Sequence, residues 1–336
     1  MKVAIAGLGL IGGSLALALV QSGNEVIAWN HRSAAYEQAR KAGIHCVKTL
    51  DELASSEADV LVLCTPLKAM DSIIATLVGK LSPRTTLTDV GSVKREVLAT
   101  VSKHGLRQAF VGAHPMAGNE LAGFDAADAQ LFQHATWALT VESDTDFERF
   151  VTVGRMICEG VKNRFIVTNA EEHDKATAQI SHMPHVVSTA LAAQLVDNPQ
   201  SNIALALAAG SWRDMTRVAL TTPDRTQAMV DENPDNVAQL LRNLSVRLDA
   251  VADLLESDEE EDSERLRQFF LSADPYRKVR AQLNNGVPEG VYNIKFSSSG
   301  DEWKEQLLQA SRKGGRVEYI DAIEADVRHF AHLRDN

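Results

Sequence analysis

The chain is short of cysteine, of aromatic residues and of positive charge. Its three cysteines, Cys46, Cys64 and Cys158, are widely spaced and form no C-x-x-C pair. That pattern argues against a disulfide framework or a thiolate zinc site and suits a reducing compartment. The simplest reading makes them small apolar residues in or near a core. Phe, Trp and Tyr amount to 5%, too few for a platform on which bases stack. Asp and Glu number 45 against 34 Lys and Arg, a net charge of −11. A broad nucleic-acid surface is therefore not expected, although local basic pockets for small anions remain open. A clean membrane span is missing too. Residues 3–20 carry no charge and approach the length of a span, but Gly7, Gly9, Gly12 and Gly13 interrupt them. No A-x-A cleavage pattern follows. The segment reads as a strand, a tight turn and a helix start, with the protein soluble and cytoplasmic.

What remains is ordinary globular composition, 45% hydrophobic and 24% charged, at a length that suggests two domains. Over residues 1–168 short β-rich runs (2–6, 25–30, 59–64, 85–89, 109–113, 137–141 and 164–167) alternate with helical stretches such as 34–42, 69–81 and 93–104. This alternation predicts an α/β fold, a doubly wound Rossmann-type parallel sheet with helices on both faces. Residues 169–283 read as an all-helical dimerisation domain, with helices at 170–196, 202–209, 223–232 and 235–255. Leu240, Leu241, Leu244, Leu248, Val251, Leu254 and Leu255 follow helical spacing, more apolar face than one monomer needs, so a homodimer is expected. Residues 256–264 hold seven acids in nine and read as a solvated loop feeding the next helix. Residues 284–336 open on a turn cluster at 284–288, then give a strand at 291–296, a helix at 302–311 and a strand at 316–320: a small appendage of no assigned role. His329 and His332 read as exposed tail residues.

Gly7-Leu8-Gly9-Leu10-Ile11-Gly12 follows a predicted strand and opens a predicted helix, the context that makes this pattern a dinucleotide fingerprint. Gly7 permits the tight turn, Gly9 lets the backbone approach a pyrophosphate, and Gly12 lets helix and strand pack closely. The helix N-terminus offers free N–H groups to the anion. Where NAD-binding chains usually carry an acid for the ribose 2′-hydroxyl, this strand ends Asn30-His31-Arg32. Arg32 can pair with a 2′-phosphate and Asn30 can donate to it, so NADP is favoured, with NAD possible.

Three further motifs carry chemistry. Asp89-Val90-Gly91-Ser92-Val93-Lys94 lies at the C-terminal end of a predicted strand, where open α/β sheets bind ligands. Gly112-Ala113-His114-Pro115-Met116-Ala117-Gly118-Asn119-Glu120 lies just past another, and His114 on such a shaped loop is a candidate general base. Ser181-His182-Met183-Pro184-His185 precedes Arg213-Asp214-Met215-Thr216-Arg217. Arg217 is a candidate for a substrate carboxylate, with Asp214 orienting a neighbour. His182 and His185 carry no H-E-x-x-H pattern or thiolate, so no metal is expected.

In this order these motifs, with Gly13-Ser14 and Cys64-Thr65-Pro66, resemble the prephenate/arogenate dehydrogenases of tyrosine biosynthesis, over residues 1 to about 283. The resemblance implies a nicotinamide-dependent oxidative decarboxylation of a cyclohexadiene ring, giving 4-hydroxyphenylpyruvate from prephenate or tyrosine from arogenate. It implies that His114 takes the C4 hydroxyl proton and that Ser92 hydrogen-bonds the same hydroxyl. Activity should then fall as His114 protonates, near the ordinary histidine value of about 6.5. Arg217 would bind a substrate carboxylate. His185 and Glu120 would line the side-chain end of the pocket, and Thr65, Pro66 and Gly91 would border the cofactor. The active site is expected between the two main domains. Two positions depart from some members: Asn119 stands where they have Thr, and Thr226 where they have Trp. Glu120 could meet arogenate's ammonium or organise a histidine, so arogenate and prephenate both stay open.

Two other readings compete. The 3-hydroxyisobutyrate type of dehydrogenase shares the glycine fingerprint, but the helical Lys with a nearby Asn that it would need has only Lys175 for comparison, without that context. A non-catalytic NADP sensor needs the fingerprint but has no use for His114, Ser92 and Arg217 together.

Overall fold

The computed structural model describes residues 1–119, 121–257, 259–284, 289–296 and 300–330. The chain divides into two compact units, Met1–His173 with Val279–Asn336, and Asp174–Lys278.

The first unit holds the Rossmann-type sheet. Strands β1 (Lys2–Ala6), β2 (Glu25–Trp29), β3 (His45–Cys46), β4 (Val60–Leu63) and β5 (Thr86–Asp89) lie in the order β3-β2-β1-β4-β5, all parallel. Side chains alternate between the two faces of such a sheet. Val3 and Ile5 enter one core while Ala4 and Ala6 enter the other. Helices cover both faces, which is what lets these strands be apolar throughout.

A second sheet joins β6 (Ala113–Pro115), β7 (Thr136–Thr140), β8 (Arg164–Thr168), β9 (Glu289–Lys295), β10 (Gly315–Ile320) and β11 (Glu324–His329) in the order β6-β7-β8-β10-β11-β9. It is mixed, which corrects the reading of every strand as parallel. Only β7 and β8, linked through the helix Phe147–Arg155, run parallel. The other pairs are antiparallel. A parallel return needs a crossover, usually a helix, and among the described residues between β6 and β7 there is only the short 3₁₀ turn Phe124–Ala126. The strand expected at 109–113 is displaced: Phe110 makes a single parallel bridge to Leu87, and regular pairing starts at Ala113. His114 therefore sits within a strand rather than on a loop past one.

Residues 289–296 and 300–330 are not a separate appendage. β10 pairs with β8, and Trp303, Leu307, Ala310, Val317 and Ile320 are buried in the same core as Phe150 and Phe165. His329 lies on β11 beside Tyr292, with ring centroids 5.2 Å apart; His332 and most of the turn cluster at 284–288 lie outside the described residues.

The second unit is helical. The run expected at 170–196 begins in the first unit and is interrupted: α-helix Ala170–Thr177, a π turn Ala178–His182, then α-helix Met183–Val196. Pro184 supplies the cause, since it has no N–H for the preceding turn and its ring crowds it. Pro223 and Pro234 instead head their helices, Pro223–Asp231 and Pro234–Glu256, where the missing N–H is harmless. The acidic stretch is partly helical, because Glu260–Leu271 begins within it. Among the described residues no helix is long and apolar enough to cross a membrane.

Candidate functional site

The glycine loop shows a division of labour. Gly7 turns the chain at φ +111°, and a Cβ there would meet the Cys64 carbonyl oxygen at 2.4 Å. A Cβ on Gly12 would meet the Gly7 carbonyl oxygen at 2.0 Å. Gly9 has φ −85°, and no described atom lies within 4 Å of where its Cβ would be. Close packing thus requires two of the glycines, and open space surrounds the third. The helix Leu10–Gln21 starts beside it with no side-chain cap among the described residues, so its first amides, including those of Leu10 and Ile11, have no intrahelical partner. Gly13 and Ser14 extend the motif inward. A Cβ on Gly13 would meet Phe124 at 2.8 Å, and Ser14 Oγ accepts the Asp128 N–H at 3.0 Å.

Neighbouring segments complete the cradle. The Leu8 amide donates to Asn30 Oδ1 at 3.0 Å, tying the loop to the end of β2. Asn30 Nδ2 donates to the Arg32 carbonyl at 2.9 Å, so one of its two donors already serves the turn. Thr65 Oγ1 is buried with no hydrogen-bond partner among the described residues, and Pro66 heads the helix Leu67–Leu77. An uncapped helix start, an open glycine and an orphaned hydroxyl fit a dinucleotide. Past β2 lies a cavity of about 610 Å³ whose lining includes Asn30, His31, Arg40 and Lys48. Arg40 Nη2 donates to the Cys46 carbonyl at 3.3 Å, while Arg32 is exposed. Arg40 and Lys48 escaped the sequence reading because they reach the rim from a later helix and strand end. The thiols are inert by environment: Cys46 and Cys64 are raised by burial, and Cys158 is pushed up to about 12 for the same reason.

The ends of β5 and β6 are clamped by a buried ion pair. Side chains of Lys94 and Asp89 are 1% and 0% exposed. Lys94 Nζ bonds Asp89 Oδ2 and donates to the Ala113 carbonyl at 2.7 Å. Asp89 accepts the Gly91 N–H at 2.8 Å and the Ala113 N–H at 3.3 Å. Burial pushes the Asp89 carboxyl up, and Lys94 and the two amides pull it back. Ser92, half-buried, lies inside this clamp, and His114 follows it directly on β6. His114 stands opposite Ala138, with Nδ1 2.9 Å from Nε2 of His173 and the rings edge-on at 5.1 Å. His173 is 3% exposed, on the helix Ala170–Thr177. Asp89, Lys94 and His173 had no assigned role in the sequence reading. Asn119 Oδ1 accepts the Leu121 N–H at 2.9 Å; Glu120 lies outside the described residues.

In the second unit His185 and His182 have opposite tautomers. His185 Nδ1 meets the Ser181 carbonyl at 2.8 Å; a carbonyl only accepts, so Nδ1 carries the proton and Nε2 the lone pair. His182, 1% exposed, has Nδ1 3.3 Å from Asn233 Nδ2; an amide nitrogen only donates, so this Nδ1 accepts. Asn233 also donates to the Asp174 carbonyl at 2.7 Å. Ser188 Oγ accepts the Ala219 N–H at 3.1 Å, which ties the turn Arg217–Leu220 to the helix of His185. Arg217 is exposed, with no acidic partner among the described residues. The neighbour that Asp214 reaches is Arg213, at 3.7 Å, rather than Arg217.

A glycine-cradled helix start and a histidine on β6, next to a clamped strand end, are features of a dinucleotide-dependent oxidoreductase. The family model for the prephenate dehydrogenase nucleotide-binding domain matches residues 15–167, and that for the prephenate dehydrogenase dimerization domain matches 169–271. The chain belongs to the prephenate dehydrogenase family. It is 31% identical over 306 residues to the prephenate dehydrogenase of Lactococcus lactis, across 90% of this chain and 83% of that one. That coverage exceeds what residues 1–283 could supply, so likeness continues past the end expected for it. Among solved structures, Synechocystis arogenate dehydrogenase superposes with a TM-score of 0.73 at 29% identity, over 83% of this chain and 99% of that one. Prephenate dehydrogenase from A. aeolicus, in complex with hydroxyphenyl propionate and NAD+, gives 0.74 at 27%, over 83% and 97%.

Proposed function

We propose that the chain catalyses the oxidative decarboxylation of prephenate or arogenate, with His114 as general base and NADP as preferred cofactor. The observation that carries the reading is the Asp89–Lys94 clamp, which fixes Gly91, Ser92 and His114 at neighbouring strand ends of one unit. Bound nicotinamide supplies the hydride acceptor. Leu10 and Ile11 amides would hold the pyrophosphate, and Thr65 Oγ1 would find its missing partner there. Ser92 orients the C4 hydroxyl of the substrate, and His114 takes its proton as hydride leaves C4. The proton returns to the same oxygen as the ring carboxylate departs as CO2 and the ring aromatises, so histidine ends unchanged. As the family resemblance implies, Arg217 would bind a substrate carboxylate and His185 would offer its Nε2 to the substrate's side chain. The preference for NADP is supported by Arg32 and by Arg40 and Lys48, which line the cavity past β2 together with Glu37, itself paired with Lys41 at 2.8 Å; a 2′-phosphate there gains charge-assisted bonds.

The helical unit supports a homodimer. Among its described residues the buried apolar side chains are Ala178 and Val237, while Ile203, Leu205, Leu207, Leu220, Val246 and Leu255 are each at least 60% exposed. A unit with so little core of its own needs a partner surface. A cytoplasmic location is part of this reading, supported by three widely spaced cysteines that suit a reducing compartment.

The deciding experiment follows nicotinamide reduction with prephenate and arogenate crossed against NADP and NAD. Turnover with one substrate and a higher kcat/KM for NADP is expected. His114→Ala should lower kcat by about 10²–10⁴-fold with cofactor affinity intact. Wild-type activity should fall toward acid pH, as a base that must be neutral becomes protonated. Silence in all four mixtures from a folded, cofactor-binding protein would overturn the reading.

A further inference from the structure

The tautomer of His185 is dictated by a carbonyl, but His114 faces another imidazole. The Nδ1 to Nε2 contact of 2.9 Å with His173 has two neutral arrangements. In one, His173 Nε2–H donates to His114 Nδ1, so the outer nitrogen of His114 carries hydrogen and cannot take a proton. In the other, His114 Nδ1–H donates to His173 Nε2, and Nε2 of His114 carries the lone pair. Only the second makes His114 a base at Nε2.

We propose that His173 is a positioning residue that holds His114 in the second arrangement, by accepting its Nδ1–H from a buried place on the helix Ala170–Thr177. The inference rests on His114 being the base. The surroundings make the acceptor stiff. His173 is 3% exposed, its backbone N–H donates to the Asn169 carbonyl at 3.0 Å, and the Ala170 backbone N–H donates to Glu142 Oε1 at 2.8 Å. On the other side Lys94 and Asp89 hold both backbone groups of Ala113, the residue before His114. These bonds fix the backbones that carry the two imidazoles, and burial leaves the His173 ring little room to turn away. When His114 takes the hydroxyl proton on Nε2 it becomes an imidazolium, and its Nδ1–H bond to His173 becomes charge-assisted and stronger. The contact therefore stabilises the charged state more than the resting state, which is the condition for a rate effect rather than a binding effect. His173 itself gains and loses no proton.

The test begins without turnover. In protein labelled with ¹⁵N-histidine, the signals of His114, assigned by their absence in His114→Ala, should show a protonated Nδ1 and a bare Nε2 in the neutral form. The reverse pattern in the wild type overturns the proposal, whatever the variants do. In His173→Phe, which keeps a ring but offers no acceptor, the tautomer should move toward Nε2–H. There kcat should fall by about 10²-fold, with KM and cofactor affinity within about twofold. His173→Gln, whose amide oxygen can accept the same proton, should recover about tenfold of that loss; recovery no better than Phe counts against the proposal. Unchanged tautomer and kcat in His173→Phe, beside an inactive His114→Ala, would overturn the role of His173 and leave the base assignment standing. An active His114→Ala would overturn the base assignment itself.

Discussion

Gly9 and Gly12 look alike in the sequence and differ in what surrounds them. A methyl group on Gly12 collides with the backbone of Gly7 at 2.0 Å, whereas one on Gly9 enters empty space at an ordinary φ. Gly12→Ala is therefore expected to lower Tm sharply or prevent folding. Gly9→Ala should leave Tm within a few degrees while cofactor affinity drops about tenfold or more, about 1.4 kcal/mol per factor of ten. Thermal melting and a fluorescence titration with NADP separate the two; equal Tm losses would show that the space at Gly9 has no role in binding. The fingerprint was legible because its geometry is local, one turn between one strand and one helix. The partner of His114 was not. It lies 59 residues away, inside a stretch reading Ala170-Glu171-Glu172-His173-Asp174-Lys175, which looks like any charged helix until tertiary packing buries His173 and Asp174.

Between elements, the decisive contact is the ion pair that joins β5 to β6. Lys94 and Asp89 stand in a motif whose strand-end position was evident, but nothing in the spacing revealed that the lysine turns back into the core to hold the Ala113 carbonyl. Removing one partner of a buried pair leaves the other charge uncompensated, at a cost of about 3–5 kcal/mol. Lys94→Met should destabilise the protein by that amount in denaturant unfolding and abolish turnover by releasing Ser92 and His114. The double variant Lys94→Met with Asp89→Leu should recover stability in part, since an apolar pair replaces a buried ionic one, but not activity, because the Gly91 and Ala113 amides lose their acceptor. Full activity in either variant would show that the clamp does not position the site. The same junction explains the displaced strand. Phe110 still reaches Leu87 for one bridge, then the chain crosses to β7, and residues 109–113 cannot be regular in both sheets at once.

At the scale of the molecule, the sequence reading failed where chain order and spatial order part. Residues 284–336 come last, after a wholly helical stretch, and local pattern offers no sign that they return to a sheet begun more than a hundred residues earlier. Their strand, helix and strand were legible, at 291–296, 302–311 and 316–320, because period and turn chemistry are local; β11 was missed, four of the six residues in its Glu-Ala-Asp-Val-Arg-His pattern being polar. The return has an energetic consequence. β10 covers the edge of β8, and Trp303, 5% exposed, packs against Phe150 at 4.8 Å and Phe147 at 5.0 Å between ring centroids. A chain ended after residue 283 would leave β8 as an open edge and uncover Phe150, Phe165 and Val167, the kind of surface that aggregates. Such a chain is expected to be insoluble or to melt far below the full-length protein. Trp303→Ala, a milder cut, should cost about 3–5 kcal/mol in urea unfolding followed by the loss of cofactor binding. A dispensable appendage would behave otherwise: the truncated chain would stay soluble, keep its Tm and bind a nicotinamide cofactor as tightly as the whole protein, and that result would refute a shared core.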